Sequence, residues 1–290
     1  MTSTKSWVGG FRANLERDAA DEGVPARAAW WGFWAPFVGL VVFAILYVVV
    51  RDAYYWLLRE DRAIEWLQFF LLVFTAVVSI LGSVAAFRRG HRLAGSFLLV
   101  VALGTLFLAA EEISWGQRVL GFAGGAAGNR QGEINIHNLD DVDGIPVERL
   151  FRIAQAAIGF IGLVLPFLVR WNPARLRAAG WRVVTPPIFL ATSFLVILGF
   201  RTQRLLFTAD ISAFIVIQEW AEVCLYGALA TWVTLTWLEE SGGRQRTADG
   251  FTSLRGGAGR TAVVVAAAVA VLTAVCIVLT MASGIDPGNV

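Results

Sequence analysis

The sequence predicts an all-α, polytopic transmembrane helix bundle of about seven spans. Three observations predict it. Apolar residues make up 57% of the chain and charged residues only 16%, where a soluble domain carries about 25% charge. Apolar runs of about 20 residues, the length a bilayer core requires, recur between short charged links. Several of the twelve tryptophans stand at the ends of those runs, where an amphipathic ring prefers the lipid–water interface. The composition also excludes some classes. A net charge of +2, with no basic stripe or recognition motif, argues against a nucleic-acid partner. Cys224 and Cys276 both fall inside apolar runs and read as small buried hydrophobes, not as a disulfide framework.

Residues 1–29 form a polar head of mixed charge. Trp7, Val8, Phe11 and Leu15 can line one face of a short interfacial helix, which Gly9 and Gly10 weaken. The head is too long and too acidic for a signal-peptide n-region, so the first apolar run reads as an uncleaved anchor. That run covers residues 30–50 and opens on the aromatic belt Trp30, Trp31, Phe33 and Trp34. A charged link, 51–62, leads to the second span, 63–87, which carries Glu65 and Gln68 in its first turns. The basic turn 88–92 leads to the third, 93–110; His91 in that turn reads as a solvated loop residue. A motif loop, 111–149, precedes the fourth span, 150–169. The basic link 170–182 precedes the fifth, 183–200, which Arg201 and Arg204 cap. The sixth, 210–238, is interrupted by Gln218, Glu219 and Glu222. The six spans make one core, 30–238. A Gly/Arg/Thr-rich stretch, 239–260, reads as a mobile cytoplasmic linker. A seventh, uncharged span at 261–282 and a short outer tail complete the chain, 261–290.

Orientation follows from the Lys/Arg bias. Segments on the side of the N-terminus hold fifteen of these residues and the opposite segments nine. This places the N-terminus in the cytoplasm and the C-terminus outside a cell (plasma) membrane, with the motif loop extracytoplasmic.

The topology then brings polar residues together. Glu65, Glu111, Glu112, His137, Glu219 and Glu222 all belong to the outer half of the bundle. Glu65 and Gln68 share a helix face, as do Glu219 and Glu222, and Gln218 and Glu222. Such faces turn inward, because a lipid-facing charge at depth costs roughly 2.5–3.5 kcal/mol on insertion scales. A bland reading stands beside this one. Arg201, Arg204 or Arg118 can satisfy Glu219 and Glu222 in a buried ion-pair network, and Glu65 can be an ordinary helix-start carboxylate.

The motif loop holds Glu111-Glu112-Ile113-Ser114-Trp115-Gly116-Gln117-Arg118 and Gln131-Gly132-Glu133-Ile134-Asn135-Ile136-His137-Asn138. Between them, 121–128 is rich in glycine but lacks the Gly-Lys-Ser/Thr ending of a phosphate loop. There is no Cys/His zinc spacing. One histidine among several carboxylates suits an oxygen-preferring divalent ion such as Mg²⁺, Ca²⁺ or Mn²⁺. The two motifs resemble the signature of a family of uncharacterised bacterial multi-pass membrane proteins. That resemblance implies a membrane protein and carries no activity. The seven-span, histidine-zinc ceramidase-like hydrolases are not resembled: only His91 and His137 are present, on opposite sides in this topology.

The expectation is a site at the extracytoplasmic side of the bundle, acting on a lipid, lipid-linked or other small-molecule substrate. Glu112, His137, Glu219 and Glu222 are its candidate catalytic residues. Glu112, His137 and Glu222 are candidate ligands for a divalent metal. Glu111, Trp115, Gln117, Arg118 and Asn138 are candidate substrate contacts, with Arg118 suited to an anionic head group. Two alternatives follow from the same residues. One is a proton-coupled transporter with Glu219 and Glu222 as the relay. The other is a non-catalytic subunit of a membrane complex, whose polar cluster fixes helix packing.

Overall fold

A computed structural model describes residues 7–58, 63–113, 147–171, 183–206, 212–242, 244–246 and 252–254. The expected seventh span, 261–282, lies outside the described residues. Within them the chain is helical apart from two three-residue strands. Six helical stretches are long and apolar enough to cross a membrane.

α1 (Trp7–Asp21) packs on the start of α2 (Ala26–Val49), with Leu15 and Ala19 buried. It is therefore tied to the bundle rather than lying only at an interface. Phe11 reaches the rings of Trp30 and Phe33. The Asp18 carboxylate accepts the backbone N–H groups of Ile188 and Phe189 at 2.7 and 3.3 Å. These belong to a one-turn 3-10 helix (Ile188–Leu190), and a carboxylate there satisfies donors that a helix start leaves open. Gly23, at φ +57°, turns the chain from α1 into α2.

α2 carries Pro36 inside, and much of its surface is exposed and apolar, as a lipid-facing helix requires. Its Gly39 lets the Trp220 indole lie directly against the backbone, and Trp220 Nε1 donates to the Pro36 carbonyl at 3.0 Å. The first part of the charged link after α2 is helical: α3 (Arg51–Leu58) buries Tyr54 and Leu58. Arg51 sits over the rings of Tyr47 and Tyr55.

α4 (Ala63–Arg88) and α5 (Arg92–Glu112) form an antiparallel hairpin. Gly90, at φ +79°, makes its turn. Ser83 Oγ donates to the Gly95 carbonyl at 2.8 Å, which sets the register of the pair. α6 (Val147–Trp171) packs on α7 (Ala191–Leu206), with Gly159 and Gly162 of α6 pressed against the Phe194 region of α7. α7 extends beyond the expected end of span five. Arg201 is thus inside the helix and does not cap it, while Arg204 stands in its last turn.

α8 (Ser212–Glu240) lies at the centre, packed on α4, α7 and α2. Ala221, Leu225, Tyr226, Ala228 and Val233 are all almost fully buried. After α8, β1 (Arg244–Arg246) and β2 (Thr252–Leu254) pair antiparallel, so the expected linker holds a short strand pair. The bundle has two ends. One gathers the start of α4, the end of α5 and the start of α8 and is called here the Glu112 end. The other is the His91 end.

Candidate functional site

The polar residues that interrupt the apolar runs meet at the Glu112 end, inside the bundle. α4, α5, α7 and α8 each contribute. Gln68, on α4, is fully buried. Its Nε2 donates to the Glu219 carboxylate at 3.0 Å and to the Glu219 carbonyl at 2.8 Å. Arg201 of α7 is 4% exposed, and its guanidinium pairs with the Glu222 carboxylate on α8. The same guanidinium donates to Gln218 Oε1 at 3.1 Å. Tyr226, one turn beyond Glu222, donates its hydroxyl to Glu112 of α5 at 3.4 Å. Glu111 is buried as well.

The geometry has a simple origin. Residues 218, 219, 222 and 226 fall on neighbouring i, i+3 and i+4 positions of one helix, so they form a single polar stripe. A stripe of this kind cannot face lipid cheaply, so α8 turns it toward α4, α5 and α7. Arg201 is drawn into the bundle by the same logic. A buried guanidinium is tolerable only with a carboxylate and further acceptors around it, and Glu222 with Gln218 supplies them.

Glu112, Glu219 and Glu222 are therefore brought into one neighbourhood, as the sequence predicts, with Glu111 buried at the end of the same α5. Glu65 stands in the first turn of α4, one turn before Gln68. His137, Trp115, Gln117, Arg118 and Asn138 lie outside the described residues, as does the glycine-rich 121–128. Among the described residues no group of three or more His, Cys, Asp or Glu side chains converges closely enough to hold a metal ion.

The sequence reading passes over three residues of this region. Tyr226 lies at i+4 from Glu222 and i+7 from Glu219, a spacing that marks it as part of the stripe. Gln155, in the third turn of α6, is as unusual in an apolar run as Gln68, and it is buried. Arg152 stands one turn before it, within charge–charge range of Arg201.

A second polar contact lies at the His91 end. His91 Nδ1 is 2.8 Å from the Glu240 carboxylate, and Arg89 donates to the Glu239 carbonyl at 3.0 Å. His91 is thus the solvent-exposed turn residue that the sequence predicts, with its side chain 56% exposed, and it also clasps the end of α8 through Glu240. The basic turn brings it there because α4 packs along α8 and ends beside the end of α8. A small cleft nearby is lined by Glu22, Thr185, Thr236, Glu239 and Glu240 among others.

No family model, curated protein or solved structure matches the chain.

Proposed function

We propose that this is an integral membrane enzyme that carries out acid–base chemistry on a lipid or lipid-linked substrate at the Glu112 end of its bundle. The expected Lys/Arg orientation makes that end the extracytoplasmic face of a plasma membrane. One observation carries the reading: four helices bring Glu112–Tyr226, Gln68–Glu219 and Gln218–Arg201–Glu222 together inside an apolar bundle. Burying so many ionisable groups is costly, and within membrane helices they mark sites of function.

The roles divide by contact. Glu112 and Tyr226 share a proton-bearing hydrogen bond and serve as the acid–base pair. Glu219, held by the Gln68 amide, is the second carboxylate. Arg201 fixes Glu222 and Gln218 and supplies positive charge. A metal-assisted version, with Glu112, His137 and Glu222 as ligands, requires Glu222 to leave the Arg201 guanidinium, so the acid–base version is preferred.

A carrier is the second reading, and a specific observation favours it. Gln68, Thr75, Ser79 and Ser83 form a buried polar line along α4 toward the His91 end. Ser79 Oγ on that line has no hydrogen-bond partner among the described residues. One experiment tests both readings. Purified protein is reconstituted in vesicles that hold a pH-sensitive dye and a mixture of phospholipids and polyprenyl phosphates. Lipids are followed by mass spectrometry and luminal pH by the dye. The enzyme reading expects a changed lipid species that Glu112→Gln abolishes. Proton flux without lipid conversion would transfer the assignment to the carrier, and neither signal would leave the structural role.

A further inference from the structure

Buried polar groups between α6 and α7 lack partners among the described residues. The two helices run antiparallel. Gly159 lies against the Phe194 carbonyl, Ile197 and Leu198. One turn from Gly159 toward the Glu112 end brings Gln155 to the level of Arg201, and about one more brings Arg152 to the level of Arg204. Gln155 shares the buried face of α6 with Gly159, Gly162 and Pro166, so it points into this seam. It is 3% exposed, and neither its Nε2 nor its Oε1 has a hydrogen-bond partner among the described residues. Arg201 Nε is buried and in the same position. In an apolar medium such groups are paired or bind something, because no bulk water is there to satisfy them.

The surroundings say what they bind. Arg152 and Arg204 both lie within charge–charge range of Arg201, so three guanidinium groups and one amide gather on α6 and α7. The carboxylates stand on α5 and α8, with Glu112 bonded to Tyr226, Glu219 to Gln68 and Glu222 to the Arg201 terminal nitrogens. The seam is thus the basic wall of the polar region. Guanidinium forks with an amide beside them match the oxygens of a phosphate. Arg152 and Arg204 are half-buried, whereas Gln155 and Arg201 are buried. The outer face of α6 is apolar and exposed through Ile153, Ile158 and Ile161, as a lipid-facing helix is.

We infer that Arg152, Gln155, Arg201 and Arg204 form a subsite for the phosphate group of a lipid or lipid-linked substrate. The inference rests on the enzyme reading above and names its substrate class. The test titrates the detergent-purified full chain with dioctanoyl phosphatidic acid, with dioctanoylglycerol as the same lipid without phosphate, and with inorganic phosphate. Binding is read by tryptophan fluorescence and by the thermal midpoint. Phosphatidic acid should bind saturably and raise the midpoint, while dioctanoylglycerol should do neither. Gln155→Leu and Arg204→Gln should each weaken binding by about tenfold or more. Gln155→Glu, which keeps the shape and adds a negative charge, should weaken it at least as much.

Competition by inorganic phosphate would show that the phosphate itself is read. Lack of competition, with phosphatidic acid still bound, would show that the lipid-borne group is read; both outcomes uphold the subsite. Equal binding of the two lipids would overturn it. So would a folded, more stable Gln155→Leu protein with unchanged affinity, since Gln155 would then be only an orphaned amide. Glu112→Gln separates the two claims, because it should bind phosphatidic acid as wild type does. Binding without turnover in wild type removes the enzyme reading and keeps the subsite. Turnover of lipids without regard to phosphate does the reverse.

Discussion

The buried pair Arg201–Glu222 gives the sharpest prediction. The two side chains are 5% and 12% exposed, so solvent screens them little. Replacing Arg201 with Met leaves the Glu222 carboxylate buried without its guanidinium, and a broken buried pair costs about 3–5 kcal/mol. Gln218 Oε1 loses its donor in the same step, which adds about 1 kcal/mol. Glu222→Leu alone strands the guanidinium and should cost about 3–5 kcal/mol too. The double variant Arg201→Met with Glu222→Leu removes both charges and replaces them with apolar volume. Such replacements are often neutral, so the double should fall within about 2 kcal/mol of wild type. The assay is reversible unfolding in mixed micelles of increasing SDS fraction, run as a double-mutant cycle. A coupling of at least about 2 kcal/mol is expected. Single losses under about 1 kcal/mol that simply add would refute the buried-pair argument. The double variant should fold and still be inactive, which separates a catalytic role for these charges from a purely packing one.

Four further outcomes are expected. Gly39→Ala places a methyl about 2.0 Å from the Trp220 ring, so the indole must move and lose its bond to Pro36; the loss should be about 1–3 kcal/mol, seen with a shifted tryptophan emission. Gly162→Ala meets the Phe194 ring at 2.3 Å and should loosen α6 from α7 by a similar amount, read as faster backbone hydrogen exchange in both helices. Asp18→Ala removes the acceptor for two backbone donors of the 3-10 turn and should cost about 1–2 kcal/mol in the same micelle assay, with Asp18→Asn retaining part of it. Ser241→Cys, beside the clasp, should react with an impermeant maleimide only from the cytoplasmic side; reaction from outside would invert the proposed orientation.

The spans and the convergence of carboxylates are legible in the sequence because the penalty for a charge in lipid is large and local. Glu219, Glu222 and Gln68 stand out against their apolar neighbours, and helical spacing alone assigns them a face. Arg201 reads two ways. At the end of an apolar run it looks like an interfacial cap, and opposite Glu222 it looks like a buried partner; the extension of α7 decides for the pair. His91 is exposed as a turn residue should be, but its contact is not legible. The turn is solvated, and its partner Glu240 is distant in the chain and comes near only when α4 is laid along α8. Asp18 and the 3-10 turn are likewise paired across a separation that no local pattern reports. The 51–62 link misleads because its charges hide Tyr54 and Leu58, which share a face with spacing i, i+4 and are buried.

The burial of α8 bears on how the protein is made. Its most apolar window has a mean hydropathy of 1.2, against 2.2 in α2, yet 78% of it is buried, against 11%. α2 is a helix that lipid solvates. α8 is one that protein solvates, with Gln68 and Arg201 as its polar solvent. A segment carrying Glu219 and Glu222 partitions poorly from a translocon into bare lipid. Synthesis runs from the N-terminus, so α4, α5 and α7 are already threaded when α8 emerges. They offer it a polar slot. Membrane entry of α8 is therefore conditional on its neighbours, and a lesion in α4 or α7 strands α8 outside the bilayer before it touches any chemistry.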